Sequence, residues 1–249
     1  MQLKNKVAIV TGASSGIGRA GAISLAKEGA DILLTFRSNK EGAINVKKEI
    51  IGLGRKCEII KAELSNPEDI KKITKYAIDK FKGIDILVNN AGDSNFIEFL
   101  DDSIENLNYL FDINVKSIFL LSQLAAREMI KRGGGSIINV TSISGISVNA
   151  SGLTSYCTTK AAANMLTRGM AKDLAKFNIR VNAILPGSIN TPLTWKKASN
   201  EVIEMTIEKT PLKKIGEPED IAKMIVFLST SDSNFMTGSL VIIDGGLTL

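Results

Sequence analysis

The chain has 249 residues, of which 44% are hydrophobic, 23% charged and 5% aromatic. This is the balance of a globular protein with enough apolar side chains for a sizeable core, and it excludes a disordered chain. Lysine and arginine outnumber aspartate and glutamate 31 to 26, but they are scattered over amphipathic segments, which argues against nucleic acid as a partner and for an anionic small ligand. In chain order, the first apolar run predicts a strand at 6–11, which leaves no room for a cleavable secretory signal before it. A helical period follows at 17–28, then a strand at 31–36, a helix at 40–52, a strand at 56–61 and a helix at 67–81 with Pro67 in its first turn. Further along come a strand at 84–88, one long helical segment at 103–131, a strand at 135–141, a helix at 155–176 and a strand at 179–185. The last elements are a helix at 218–229, with Pro218 in its first turn, and a strand at 239–243. No uncharged stretch is apolar enough to cross a bilayer. Cys57 and Cys157 stand far apart with no CxxC or Cys/His grouping, so neither a disulfide framework nor a metal site is expected. A reducing, cytoplasmic location is expected instead.

The alternation of strand and helix implies βαβ crossovers. Uniformly apolar strands imply parallel pairing buried on both faces. Together they predict an α/β fold, a single-domain doubly wound parallel sheet of about seven strands with helices on both faces, spanning 1–249. Pro192 to Pro211 is the least regular stretch and carries Trp195 just after a strand end, where a substrate lid (192–211) is expected.

After the first strand comes Thr11-Gly12-Ala13-Ser14-Ser15-Gly16-Ile17-Gly18, opening directly into a helix. Glycines at these positions let the backbone turn tightly and approach a pyrophosphate, whose charge is met by free N–H groups and the positive helix end. The context is that of a Rossmann-type dinucleotide fold. The TGxxxGxG spacing resembles the fingerprint of the short-chain dehydrogenase/reductase family. Further matches to that family follow along nearly the whole chain: Asn89-Asn90-Ala91-Gly92 after the fourth strand, and Pro186-Gly187 with Ile189 and Thr191 after the sixth. The resemblance implies that Asn90, Ala91 and Gly92 border the adenosine and that Pro186, Gly187, Ile189 and Thr191 lie over the nicotinamide. Glu63-Leu64 occupies the place where the family meets adenine.

The end of the second strand reads Leu34-Thr35-Phe36-Arg37-Ser38. A fold preferring NAD(H) usually places a carboxylate there for the ribose hydroxyls. Here Arg37 offers a charged planar fork suited to a 2′-phosphate, with Ser38 as a further donor, so NADP(H) is the expected cofactor. Ser15 stands where many NADP(H)-using relatives have a basic residue, which leaves NAD(H) open.

Tyr156-Cys157-Thr158-Thr159-Lys160 puts a phenol and an amine on one helix face. A free phenol titrates near ~10, and a nearby ammonium together with a cationic nicotinamide is expected to lower that value. The chain has no histidine, so the commonest general acid/base is absent and a Tyr/Lys proton path is required. By resemblance, Tyr156 exchanges the proton, Lys160 also holds the nicotinamide ribose, and Ser142 polarises the substrate oxygen, with Ser144 as the substitute. The same resemblance gives Asn114 a backbone role in a water path to Lys160. Phe36 to Lys40 and Gly187 to Leu193 resemble sugar dehydrogenases of the glucose 1-dehydrogenase type, which implies a sugar or polyol substrate. Ile215-Gly216-Glu217-Pro218 is shared with 3-oxoacyl-acyl-carrier-protein reductases, the alternative, in which a docking arginine is replaced here by Ser136 while Lys172 keeps a positive charge. A protein that senses dinucleotides without turnover is the alternative of another class. The family also implies a homotetramer, with 103–131, 155–176 and the last strand at the interfaces.

Overall fold

A computed structural model describes residues 1–148, 150–192 and 199–249. Seven strands form one sheet: β1 (Val7–Val10), β2 (Asp31–Phe36), β3 (Cys57–Lys61), β4 (Ile86–Asn89), β5 (Gly135–Val140), β6 (Ile179–Pro186) and β7 (Leu240–Ile243). All pair in parallel, in the order β3-β2-β1-β4-β5-β6-β7. Each expected strand forms to within two residues at either end. The helices α1 (Gly16–Lys27), α2 (Lys40–Gly52) and α3 (Pro67–Phe81) also fall where the apolar period puts them. Pro67 takes the first turn of α3, where its missing N–H costs nothing, and Asn66 Oδ1 accepts from Glu68 N at 3.0 Å.

Because side chains alternate along a strand, each strand feeds two cores. Val10, Leu34, Val88 and Ile138 face one side, where α1 and α2 pack together with α8 (Pro218–Ser229), which brings Ile221, Ile225 and Leu228. Ile9, Leu33, Leu87 and Ile137 face the other, against Ile73 of α3, Leu121 and Met129 of α5 (Ser117–Lys131), and Ala171 of α6 (Thr154–Leu174). A buried Ile, Leu or Val contributes about 2 kcal/mol, so these two layers, more than helix propensity, hold the elements in place.

The structure differs from the sequence reading in two elements. The segment 103–131 is not one helix: α4 (Ile104–Phe111) passes into a π-helical stretch, Asp112–Lys116, before α5 begins. Buried positions keep three- and four-residue spacing through the stretch, at Leu110, Ile113, Asn114, Ser117, Ile118 and Leu121, so the period alone shows no break. A further helix, α7 (Asn200–Lys209), lies within 192–211 and is capped by the Ser199 hydroxyl. It is polar and carries Val202 and Met205 on exposed positions, so no buried stripe announces it. Trp195 and the rest of 193–198 lie outside the described residues. Among the described residues no helix is long and apolar enough to cross a membrane.

β1 lies between β2 and β4, so the chain winds outward from β1 to β3 and then crosses back to β4. Loops leaving the carboxyl ends of β1 and β4 therefore diverge and leave a crevice between them.

Candidate active site

The crevice is a cleft of about 360 Å³ running along the carboxyl ends of the strands. Gly12, Ser14, Ser15, Gly16 and Ile17 form one wall; Arg37, Ser38, Glu63 and Leu64 line one end; Asn90, Ala91 and Gly92 line the floor beside β4. Ser142, Tyr156, Lys160, Pro186, Gly187, Ile189 and Thr191 line the other end.

Local chemistry explains the shape of the first wall. Gly12 and Gly16 both have left-handed backbones, at φ +63° and +55°. A Cβ on Gly12 would lie 3.1 Å from Ala91, and one on Gly16 would lie 3.2 Å from the Thr191 methyl across the cleft. Thr35 Oγ1 accepts from Gly12 N at 3.2 Å, and Thr11 Oγ1 accepts from Asn90 N and Ala91 N at 2.9 and 3.0 Å, tying the turn to the β4 loop. Ser15 precedes α1 but makes no side-chain cap, so the helix N-terminus keeps donors for an anion. Gly18 does not line the cleft: its Cβ would strike Asn90 Nδ2 at 2.5 Å and Gly12 O at 2.6 Å, which makes it a packing glycine beneath the turn. A backbone cradle that side chains would fill, at a helix N-terminus, fits a dinucleotide pyrophosphate.

At the other end, Ser142 follows β5 in extended conformation and caps a short 3-10 turn, its Oγ accepting from Ser144 N at 3.0 Å. Ser142 and Tyr156 both line this end of the cleft, and the Ser142 hydroxyl is near enough to the Tyr156 phenol to lower its pKa. Ser144 instead meets the Cys157 thiol, so of the two serines Ser142 is the one at the phenol. One helical turn beyond Tyr156, Lys160 is buried, with Nζ 5.5 Å from the centre of the Tyr156 ring. Burial drives the Lys160 amine down to about 8.

The Tyr156 shift is opposite to the expected one. Loss of water around the phenol pushes it up to about 12; the neighbouring Ser142 hydroxyl pulls it down, and Cys157 raises it slightly further. The amine sits over the ring face and is itself pressed towards neutrality, so it does not supply the acidifying charge that the i, i+4 spacing suggested.

Asn114 sits in the π-helical stretch, fully buried behind Gly92 instead of lining the cleft. Its Oδ1 and Lys160 Nζ both press on Gly92: a Cβ there would be 2.9 and 3.3 Å from them. The Asn114 Nδ2 donates to Asp93 O at 2.9 Å and to Thr159 Oγ1 at 3.1 Å. π-helical insertions of this kind concentrate at functional sites, because they re-aim backbone and side-chain groups out of the helical ladder.

Sequence reasoning missed Thr35, Asn39, Asp93, Thr141 and Pro192, which also line the cleft, and Tyr109, whose hydroxyl bonds Asp93 and Arg37. Thr35 stood inside the quoted strand end and was legible as a turn anchor, while Asp93 and Tyr109 carry no local signal. Ser136, the replaced docking position, is buried in β5 and donates to Leu228 O at 2.8 Å.

A family profile described as "Enoyl-(Acyl carrier protein) reductase" matches residues 12–248. The chain is 37% identical to 3-oxoacyl-[acyl-carrier-protein] reductase FabG of Thermotoga maritima over the full length of both. It is 36% identical to the L-rhamnose 1-dehydrogenase (NAD(P)(+)) of a Sphingomonas strain, covering 98% of this chain and 97% of that one. Among solved structures, a 7α-hydroxysteroid dehydrogenase complexed with NADH and 7-oxo glycochenodeoxycholic acid superposes with a TM-score of 0.95 at 37% identity, covering 98% of this chain and 95% of that one. With the parallel sheet, the glycine turn and the Ser/Tyr/Lys group in one cleft, these likenesses make the chain an oxidoreductase of the short-chain dehydrogenase/reductase family.

Proposed function

We propose that the chain, acting as one domain over 1–249, transfers a hydride between NADP(H) and an alcohol or carbonyl carbon, with Ser142, Tyr156 and Lys160 as catalytic residues and Asn114 supporting Lys160. The observation that carries this reading is that Ser142, Tyr156 and Lys160 line one cleft with the glycine turn, with the Lys160 amine 5.5 Å from the centre of the Tyr156 ring one helical turn away.

Gly12 and Ser14 to Ile17 would hold the pyrophosphate, with Gly18 packed beneath them, and Arg37 and Ser38 would hold the 2′-phosphate. Glu63, Leu64 and Asn90 to Gly92 would border the adenosine, and Pro186, Gly187, Ile189 and Thr191 the nicotinamide. When bound, the dinucleotide supplies or accepts the hydride. Ser142 and Tyr156 both present hydroxyls to a substrate oxygen, so the carbon bearing it is held and polarised. Tyr156 exchanges a proton with that oxygen. Lys160, with its amine brought near neutrality, is able to pass protons at the cleft floor beside Gly92. NADP(H) is favoured because no carboxylate stands at the end of β2; NAD(H) remains open, since relatives use either.

For the substrate, the reading is a sugar or polyol, supported by the local motifs after β2 and β6 and the rhamnose-dehydrogenase likeness. One observation favours the acyl-carrier alternative: Phe96, Phe99 and Val148, on the loops between β4 and α4 and between β5 and α6, are exposed apolar side chains suited to an acyl chain. A dinucleotide sensor without turnover has no need of the Ser/Tyr/Lys group. The enzyme is proposed to act in the cytoplasm as a homotetramer.

The test is Tyr156→Phe, assayed with NADPH over aldoses, polyols and oxoacyl thioesters. Turnover is expected to fall on the order of 10²–10⁴-fold while NADPH fluorescence titration is retained. Unchanged turnover would remove Tyr156 from the reaction.

A further inference from the structure

Arg37 does not project freely into solvent. Its Nη1 donates to Asp93 Oδ2 at 3.2 Å and to the Tyr109 hydroxyl at 2.8 Å, and the Tyr109 hydroxyl donates to the same Asp93 oxygen at 2.7 Å. The three groups close a ring. β1 separates β2 from β4 in the sheet, so a bond from the residue after β2 to the loop after β4 spans the end of β1, where the glycine turn begins. Arg37 and Asp93 both line the cleft. The bond therefore lies across the part of the cleft assigned above to the adenosine.

Each partner is held for its task. The Asp93 backbone is fixed by Asn114, which takes its N–H at 3.0 Å and gives Nδ2 to its carbonyl at 2.9 Å. Tyr109 sits in α4, so its hydroxyl approaches from a rigid element. The Asp93 carboxylate is one-fifth exposed and the Arg37 side chain about half exposed, so the pair is accessible to a ligand and competes in water. Burial and the Asp93 carboxylate together push the Tyr109 phenol up, which keeps it protonated as a donor.

Resting on the assignment of Arg37 to the 2′-phosphate, we propose that Asp93 and Tyr109 form a clasp that occupies Arg37 and sets the cofactor preference: a 2′-phosphate must take the guanidinium from a carboxylate. NADH makes no such demand on it. The carboxylate missing from the end of β2 is thus supplied from the β4 loop, as a competitor for the arginine. It tempers the NADP(H) selectivity that Arg37 would otherwise give. Asp93 and Tyr109 act through Arg37 and are positioning residues.

The experiment compares dissociation constants of NADPH and NADH, by cofactor fluorescence, for the wild type, Arg37→Ala, Asp93→Asn and Tyr109→Phe. Asp93→Asn is expected to raise the preference for NADPH over NADH by about fivefold, and Tyr109→Phe to move it the same way by about twofold. Added salt should shrink the wild-type to Asp93→Asn difference, since the competing pair is exposed. If Arg37→Ala costs NADPH more than NADH but Asp93→Asn leaves the ratio unchanged or lowers it, the clasp is wrong and the 2′-phosphate assignment stands. Equal losses for both cofactors in Arg37→Ala overturn both. Should Asp93→Asn fail to fold, Tyr109→Phe, which keeps the ring, decides alone: an unchanged ratio overturns the clasp.

Discussion

Asn114 holds the peptide of Asp93 on both sides, accepting its N–H on Oδ1 at 3.0 Å and donating Nδ2 to its carbonyl at 2.9 Å. The same Nδ2 reaches Thr159 Oγ1 at 3.1 Å, and the Thr159 hydroxyl donates to Tyr156 O at 2.8 Å. A buried amide thus joins the loop after β4 to the turn of α6 that carries the phenol, and so links the two ends of the cleft.

Removing that amide leaves backbone groups of Asp93 without partners. Asn114→Ala is expected to lower stability by about 1–3 kcal/mol, read as a lower urea midpoint with an unchanged slope. Turnover should fall more than the loss of folded protein explains, because the Asn114 amide and the Lys160 amine both lie against Gly92. A variant with the wild-type midpoint would show that the amide is not a structural joint.

The pH dependence of stability follows from Lys160. The unfolded amine titrates near ~10.4 and the folded one at about 8. Between those values the unfolded chain binds more protons, so the stability that accompanies the neutral amine is present above ~10.4 and is lost as pH falls through about 8. Tyr156 acts in another window: raised to about 12 from ~10, its contribution is present below ~10 and lost as pH rises through about 12. Cys57 and Cys157, both raised by burial, lose stability as pH rises through the unfolded thiol range near ~8.5, so in urea unfolding between about pH 7.5 and 9.5 the lysine is read from the difference between wild type and Lys160→Met. The stability of the wild type relative to Lys160→Met is expected to rise by roughly 2 kcal/mol over that range, the thiol contribution being common to both proteins. Parallel curves for the two proteins would contradict the buried-amine assignment.

Much of this architecture was legible because buried parallel strands are short apolar runs that need no partner to be recognised. Val7 to Val10 and Ile86 to Asn89 announce themselves. The glycine turn was legible for a related reason: Gly12 and Gly16 stand where a side chain would collide, so the residue type records the geometry. What escaped lies beyond any local period. Arg37 meets Asp93 and Tyr109 across 56 and 72 residues of sequence, and no spacing rule joins a strand end to a helix face at that distance. The π-helical stretch was hidden because the buried positions on either side of it keep the three- and four-residue spacing of a continuous helix. The sign of the Tyr156 shift also escaped, since helical spacing gives the neighbour of a phenol but not whether its amine lies at the oxygen or over the ring.

Gly18 tests the packing beneath the turn separately from cofactor contact. In Gly18→Ala the methyl would stand 2.5 Å from Asn90 Nδ2 and 2.6 Å from Gly12 O, and a backbone oxygen cannot swing aside. Overpacking of this kind costs about 1–3 kcal/mol, and the shift falls on the turn itself. The expected result is a lower melting temperature together with weaker binding of both NADPH and NADH. Loss of stability with both affinities intact would mean that the turn tolerates displacement of α1.

The proposed homotetramer draws on exposed apolar side chains of α5, α6 and β7. Phe119 on α5 is 52% exposed and Met165 on α6 is 64% exposed, on two helices that cover the same face of the sheet. Ile242 of β7, at the sheet edge, is 45% exposed. The proposal is that a second copy covers these side chains, since helices presenting them suit pairing about a twofold axis. Phe119→Glu with Met165→Glu would bury like charges against each other across such an interface. Light scattering is expected to show a tetramer for the wild type and a smaller species for the double variant, with circular dichroism unchanged. A wild type that runs as a monomer at micromolar concentration would remove the interface, and a charged variant that stays tetrameric would move it elsewhere on the surface.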